Sequence, residues 1–592
     1  MNLVNDPWVS VIKLDGTPWT ASLLEVFTQG QEFSDLAVRP HERIALMRLL
    51  ICIAQAALDG PNNGKDWEEA PEKLPGLAKQ YFEKWIDRFE LFYDPSDDRK
   101  KFPFLQVATL EKPIKPGKIK QDGDSNSTGK RKRNILAEGD SDDGNLEETF
   151  VPIAKLDLAL ASGANTTLFD HFGGSQEKRT FSAYSIPLML ITFENFSPGG
   201  TIGVGLWNEK PTHGWTSYPK IKPGQSNHAP CLPKNMLHSF IRRNTVLNTV
   251  CANLLTKNRV SQHFNQPIDE CWGKPIWEDF PSDPSKQDST KTYLGRLIPI
   301  TRAIRLLPGG AEMLLANGLE YPSYGNKKMP FCRETSATEI LNRGKNDRIL
   351  LGATLGKAIW RELSALIISR RNGEMGGALS LENIKENEDI DLWVGALVAD
   401  KANVLDTVES VLPVPASLRN DTGRHAYEEE IKWAERVEGK LITSVREYRK
   451  QFDGRFAKVD DPELAKDKKK KAEMEKRLRT IALSTTIRHY WTAVEKIRPL
   501  LMDYVVARGM PQQTLEQIES TAEKSQEAQA IWQKAVRKAA RESYALACGQ
   551  ETPRQIRAFA FGLSKLVGKP RDQHAEAQGT EIEESGMEKT EE

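Results

Sequence analysis

The first residues alternate in character. Trp8-Val9-Ser10-Val11-Ile12 is followed by Asp15-Gly16 and then Trp19, so β-forming residues flank a turn dipeptide and predict a short hairpin. The period then changes. Ile44, Met47, Leu50, Ile51 and Ala54 recur at helical spacing behind Pro40, a favourable first-turn residue, and Gly60-Pro61 stops the segment. This helix is expected in the core. Between 113 and 148 hardly any large apolar residue is available for burial; Lys115-Pro116-Gly117, Asp122-Gly123-Asp124 and Lys130-Arg131-Lys132-Arg133 lead into an acidic stretch, the pattern of a flexible insertion.

From Phe150 to about Leu412 helical and strand-like pieces alternate with Gly/Pro-rich loops, the texture of a large α+β body whose loops carry the work. Past Pro413-Val414-Pro415 the chain becomes charged, Ala/Leu-rich and helical in period. Segments Tyr427 to Phe452, Pro462 to Arg508, Gln513 to Cys548 and Pro553 to Val567 predict four antiparallel helices. The expected fold class is therefore α+β: a mixed amino-terminal body over 1–412 containing the 113–148 insertion, a carboxy-terminal four-helix bundle over 413–568, and a polar, disordered tail over 569–592.

Bulk composition narrows the partners less than the pattern does. Lys plus Arg and Asp plus Glu both number 82, so any nucleic-acid site must arise from local segregation of charge. One such place is the second bundle helix, where Lys466 and Lys468 to Lys471 continue through Lys476, Arg477 and Arg479. Lys469, Lys470, Lys476 and Arg477 are candidate phosphate contacts there, against the plainer reading of a solvated face. Six cysteines without a CxxC pair suit a reducing compartment rather than a disulfide framework. The longest apolar run, Ile44 to Leu58, is broken by Arg48 and Gln55 and is too short to span a bilayer. Met1 to Trp8 lacks the basic and apolar regions of a signal peptide, so the expected location is the cytoplasm, away from membranes.

Catalytic chemistry finds little support. Gly199-Gly200-Thr201-Ile202-Gly203-Val204-Gly205 is the densest glycine cluster, yet it fits no dinucleotide fingerprint and no GK[ST] follows it. Such glycines offer a bare backbone that can approach another backbone or a nucleic-acid groove; the alternative is a tight turn. His213, His228, Cys231 and His238 fall close together, but their spacing matches no closed zinc pattern. No nucleophile elbow or paired-metal carboxylate cluster is apparent, so no catalytic residue, metal or cofactor is assigned.

Several stretches resemble one family. Leu3-Val4-Asn5-Asp6-Pro7-Trp8-Val9-Ser10-Val11 and the helix Arg39 to Gln55 look like the start of the CasA family, the large subunit of the type I-E CRISPR surveillance complex (Cascade). Leu160 to His171 resembles that family's loop reaching the 5′ handle of the CRISPR RNA and the neighbouring backbone subunit, which implies contacts at Phe169, Asp170 and His171. An aromatic ring on such a loop can stack on a splayed base; a buried loop anchor is the alternative. Asp170 and His171 depart from the family pattern. Phe196 to Gly203 is similar to the glycine loop that the family places against the protospacer-adjacent motif, which implies motif reading by Gly199, Gly200, Thr201 and Gly203. Asp400-Lys401-Ala402 falls where the family carries a wedge that starts strand separation, with Lys401 standing where the best-known member has a glutamine. Leu315 to Pro322 resembles a family strand, but Pro308-Gly309-Gly310 replaces a lysine-bearing, zinc-associated insertion.

The resemblance implies a non-catalytic protein whose partners are the other Cascade subunits, the crRNA, double-stranded target DNA and a helicase-nuclease effector. Sequence specificity would come from base pairing with the guide, after the chain has found the flanking motif. Two other readings stay open: an enzyme using a His/Cys metal site, and a general RNA-protein scaffold without motif reading.

Overall fold

In the computed structural model the described residues are 1–94, 96, 102–114, 150–161, 170–174, 179–212, 225–226, 228–322, 324, 333–342, 347–370, 375–454, 456, 467–510 and 515–567. The chain divides into two compact units, Met1–Val414 and Pro415–Glu592. Most of the 113–148 segment, all but its first two residues, and the 569–592 tail lie outside the described residues.

The first unit is α+β, with several small sheets around a buried helix. Strand Val9–Lys13 pairs antiparallel with Pro18–Ala21, joining Val9 to Ala21 and Val11 to Trp19, and on its other edge with Phe33–Leu36. The Trp8–Trp19 hairpin is thus present. Ser22 then caps helix Leu23–Thr28 in a reciprocal box with Glu25.

The helix Pro40–Leu58 begins as its sequence dictates. Pro40 occupies the first turn, and the Arg39 backbone N–H donates to the Glu42 carboxylate at 2.9 Å. It ends where Asp59 turns left-handed, just before Gly60-Pro61. It lies in the core, as expected, and is buried nearly all round, from His41 through Gln55. Leu46, Leu49, Leu50 and Ile53 are fully buried, each stabilising the fold by roughly 1.5–3 kcal/mol.

Arg48 is buried among them because other segments answer its charge. Its Nη1 donates to the Glu334 carboxylate at 2.6 Å and its Nε to the Leu297 carbonyl at 3.1 Å; Arg296 clamps the same carboxylate from the other side. Burial opposes ionisation of Glu334, yet Arg48 and Arg296 outweigh it and hold the carboxyl at about 2.

A three-stranded sheet places Ile390–Asp400 between His238–Arg242 and Asn403–Val414. A second sheet orders Arg302–Leu306, Glu312–Asn317 and Val151–Pro152; a third orders Lys210–Pro211, Val204–Trp207 and Leu110–Ile114.

The second unit is helical. Asp421–Phe452 packs against Pro553–Val567, Arg498–Gly509 and Leu515–Ala547. One difference from expectation concerns the single helix expected from Pro462 to Arg508, whose described part, 467–508, holds three helices. Lys468–Ala482 runs through a π-turn, Leu483–Ile487, into Arg488–Lys496, and a new helix starts at Arg498. Pro499 explains the break, since it has no N–H to donate and its ring clashes with the preceding turn. Among the described residues no helix is long and apolar enough to cross a membrane.

Candidate nucleic-acid interface

The glycine cluster comes after an apolar helix, Ile186–Phe196, that starts with Pro187 in its first turn and is almost wholly buried. Past that helix the chain forms half of a pairing rather than a free loop. The Cys231 N–H donates to the Asn195 carbonyl at 3.1 Å and that of Ala229 to the Ser197 carbonyl at 3.0 Å. Ser226 then pairs with Gly200 and Gln225 with Thr201. These four pairings share one register, in which His228, between Ser226 and Ala229, falls opposite Pro198.

A buried cation holds the loop from beneath. Arg302 donates from Nη2 to the Pro198 carbonyl at 3.0 Å and from Nη1 to the Thr301 carbonyl at 2.7 Å. Glu194, buried on the preceding helix, accepts from the Thr301 hydroxyl and from the backbone N–H groups of Thr301 and Arg302. Burial pushes the Glu194 carboxyl up to about 8 and the Arg302 guanidinium down to about 10. Gly199 is half-buried, whereas Gly200 and Gly203 are exposed. Gly200 has φ +154°, outside the usual range for side-chain-bearing residues, and an added Cβ there would meet nothing within 4 Å. Among the described residues, then, one side of the loop is pinned and nothing crowds the bare backbone at Gly200.

Asp400, Lys401 and Ala402 lie at the tip of the longest hairpin among the described residues, formed by strands of 11 and 12 residues. Asp400 pairs with Asn403, leaving Lys401-Ala402 as a two-residue connection with Lys401 at φ +57°. Asp400 and Lys401 are exposed and Ala402 is half-buried. Near the tip, beside a register shift between Val398 and Ala399, the Asn235 side-chain carbonyl accepts from the Ala399 N–H at 3.0 Å.

The glycine loop and the hairpin tip are therefore braced by one stretch of chain. Residues 225–226 and 228–231 back the loop, Asn235 props the tip, and His238–Arg242 continues as the hairpin's neighbouring strand. His228 and Asn235 are seven residues apart, a span of at most about 25 Å.

The other expected positions are scattered. Phe169 lies outside the described residues. Asp170 and His171 begin a strand, Asp170–Gly174, that pairs in parallel with Leu160–Ala161. Pro308-Gly309-Gly310 is a tight turn between Arg302–Leu306 and Glu312–Asn317. In the second unit Lys469, Lys470, Lys476 and Arg477 are exposed, and Arg477 is engaged with Glu473 at 2.8 Å one turn away. Glu194, Thr301, Arg302 and Asn235 escaped the sequence reading. The one clue was Glu194, the single charged residue of a largely apolar helix.

The histidine-cysteine cluster has other uses. His238 is buried, with Nδ1 2.9 Å from the Ser336 hydroxyl and Nε2 3.2 Å from the Cys231 carbonyl; burial and then Arg48 bring its pKa down to about 4. The Cys231 thiol faces the Asn195 side chain, and the His228 Nδ1 accepts from the Gly199 N–H at 3.0 Å. His213 lies outside the described residues, among which no group of three or more His, Cys, Asp or Glu is placed to hold a metal. Cys52, Cys231, Cys251, Cys271 and Cys548 are all buried, and burial raises each thiol above its ordinary pKa.

Comparison with known proteins gives this architecture its class. A crystal structure of CasA from Thermus thermophilus superposes with a TM-score of 0.65 over 96% of this chain and 98% of that one, at 21% identity. Cse1 from Acidimicrobium ferrooxidans gives 0.63 over 96% and 97%, at 18% identity. A chain of a CRISPR RNA-guided surveillance complex gives 0.63 over 96% and 99%, at 15% identity. At these identities the likeness establishes the fold, and the fold is that of CRISPR-associated proteins. In sequence, CasA/Cse1 of Thermus thermophilus is 26% identical over 460 residues, 74% of this chain and 75% of that protein. The family described as CRISPR-associated protein Cse1 matches residues 2–543, and the chain belongs to it.

Proposed function

We propose that this chain is the large, non-catalytic subunit of an RNA-guided DNA surveillance complex in the cytoplasm, and that it searches duplex DNA for a short flanking motif. The glycine loop enters the minor groove, where a bare backbone reads groove shape and a limited donor/acceptor pattern. The Lys401-Ala402 tip parts the adjoining base pairs, and guide pairing supplies the remaining specificity. The 160–171 region, Phe169 included, contacts the 5′ handle of the crRNA and the neighbouring subunit. Lys469, Lys470, Lys476 and Arg477 follow a phosphate backbone, and the first unit recruits the helicase-nuclease. Cleavage belongs to that partner.

The observation that supports this reading is the exposed Gly200 backbone, in a loop held by Arg302 and by Gln225-Ser226, with no side chain within 4 Å of an added Cβ among the described residues. Its test is target binding by the complex reassembled from this chain, guide RNA and the other subunits, on duplexes whose flanking trinucleotide is exchanged. Binding should fall roughly five- to hundredfold for disfavoured trinucleotides, since a mismatched pair in a recognised site costs about 1–3 kcal/mol. Indifference to the flank would leave only a structural scaffold, and DNA cleavage by the isolated chain would restore the enzyme reading.

A further inference from the structure

We propose that His228 determines specificity within the glycine loop, presenting a neutral imidazole N–H to the minor-groove edge of one flanking base pair and rejecting guanine there. This rests on the reading of the loop as the duplex contact, and it assigns a discriminating side chain to a surface otherwise made of backbone.

The argument begins with register. His228 stands opposite Pro198, which has no N–H to share, and its ring takes the next donor along: the Gly199 N–H points at Nδ1 at 3.0 Å. A backbone N–H can only donate, so Nδ1 is the acceptor and the ring proton resides on Nε2. Among the described residues no group takes that Nε2, and the residue is exposed beside the open space in front of Gly200. Burial of part of the ring, and then Arg302, lower the pKa of His228, which keeps it uncharged at neutral pH. The side chain is therefore a single, oriented, neutral donor.

Chemistry then names what it recognises. On the minor-groove edge an A·T or T·A pair offers only acceptors, while a G·C pair adds the guanine 2-amino donor. One N–H donor accepts A·T in either orientation but meets guanine donor to donor. A lysine or arginine would also seek phosphates, as a point charge or a flexible fork; a neutral imidazole favours a base edge.

Inosine provides the test, because it is guanine without the 2-amino group. The reassembled complex would be titrated with duplexes carrying A·T, G·C or I·C at each flanking position in turn. At one position the wild-type complex should bind I·C on the order of tenfold more tightly than G·C, the scale of one unpaired polar group. His228→Asp keeps an acceptor for Gly199 and carries no donor, its charge weakening every duplex alike without changing a ratio, and His228→Ala drops both. In each the I·C to G·C ratio at that position should fall to about one, whereas a merely displaced loop would weaken all duplexes alike. A ratio unchanged in either variant, or wild-type complexes that treat G·C and I·C alike at every position while still preferring a motif, would overturn the assignment to His228 alone. Wild-type binding with no flanking preference at all would instead remove the motif-reading function on which it rests.

Discussion

Replacing Glu334 by Gln tests whether the buried cation cluster organises the first unit. The perturbation is nearly isosteric, but it leaves Arg48 and Arg296 inside the protein without the carboxylate that they share. A carboxyl held at about 2 instead of 4.5 contributes about 3 kcal/mol at neutral pH, with 1.36 kcal/mol for each pKa unit. That agrees with the roughly 3–5 kcal/mol expected on breaking a buried pair from one side. The sign is fixed by linkage. The folded value is depressed, so the stabilisation is fully present above 4.5 and is lost as pH falls toward 2. By pH 3 about 1.4 kcal/mol of it remains. Urea unfolding followed by tryptophan fluorescence would read the gap as a midpoint lower by up to about 1 M, for a slope of ~3 kcal/mol/M. Equal midpoints at pH 7, or a gap as large at pH 3 as at pH 7, would refute the reasoning.

Two further outcomes are expected at the proposed interface. Gly200→Ala meets no neighbour but must hold φ +154°, so the backbone shifts to relieve strain of about 1–3 kcal/mol; the thermal midpoint should barely move while duplex binding by the assembled complex weakens, and unchanged binding would make the loop only a turn. Lys401→Gln keeps the two-residue connection but removes its cation, and the slope of log affinity against log salt should flatten by about 0.9 if the lysine meets one phosphate. An unaltered slope would leave the tip a purely steric wedge.

The parts of this fold that were legible in the sequence are those whose cause is local. Val9, Val11 and Asp15-Gly16 specify a hairpin within a dozen residues, and the spacing from Ile44 to Ala54 specifies a helix behind Pro40. Burial of that helix on every side was not legible, because the groups that neutralise Arg48 come from near residues 296 and 334. Pro499 did mark the break in the expected second bundle helix, but strong apolar periodicity on both sides masked it. The glycine cluster was visible as composition, and the hairpin tip only through family likeness. Neither suggested that residues 225–235 brace both. Those pairings are a few residues long, too short for a period-two pattern, and the Arg302 and Glu194 that complete the brace lie 108 residues apart.

The sheltered sulfurs make movement of the hairpin tip observable. Thiols that are inside the protein and reluctant to ionise react slowly with maleimides, because the thiolate is the nucleophile. With Cys332, outside the described residues, changed to serine, a cysteine introduced at Ala402 would accept a fluorophore while the native five stay silent. The opening of a DNA duplex against that tip then becomes an optical signal, recorded in real time from a chain whose interior needs no re-engineering.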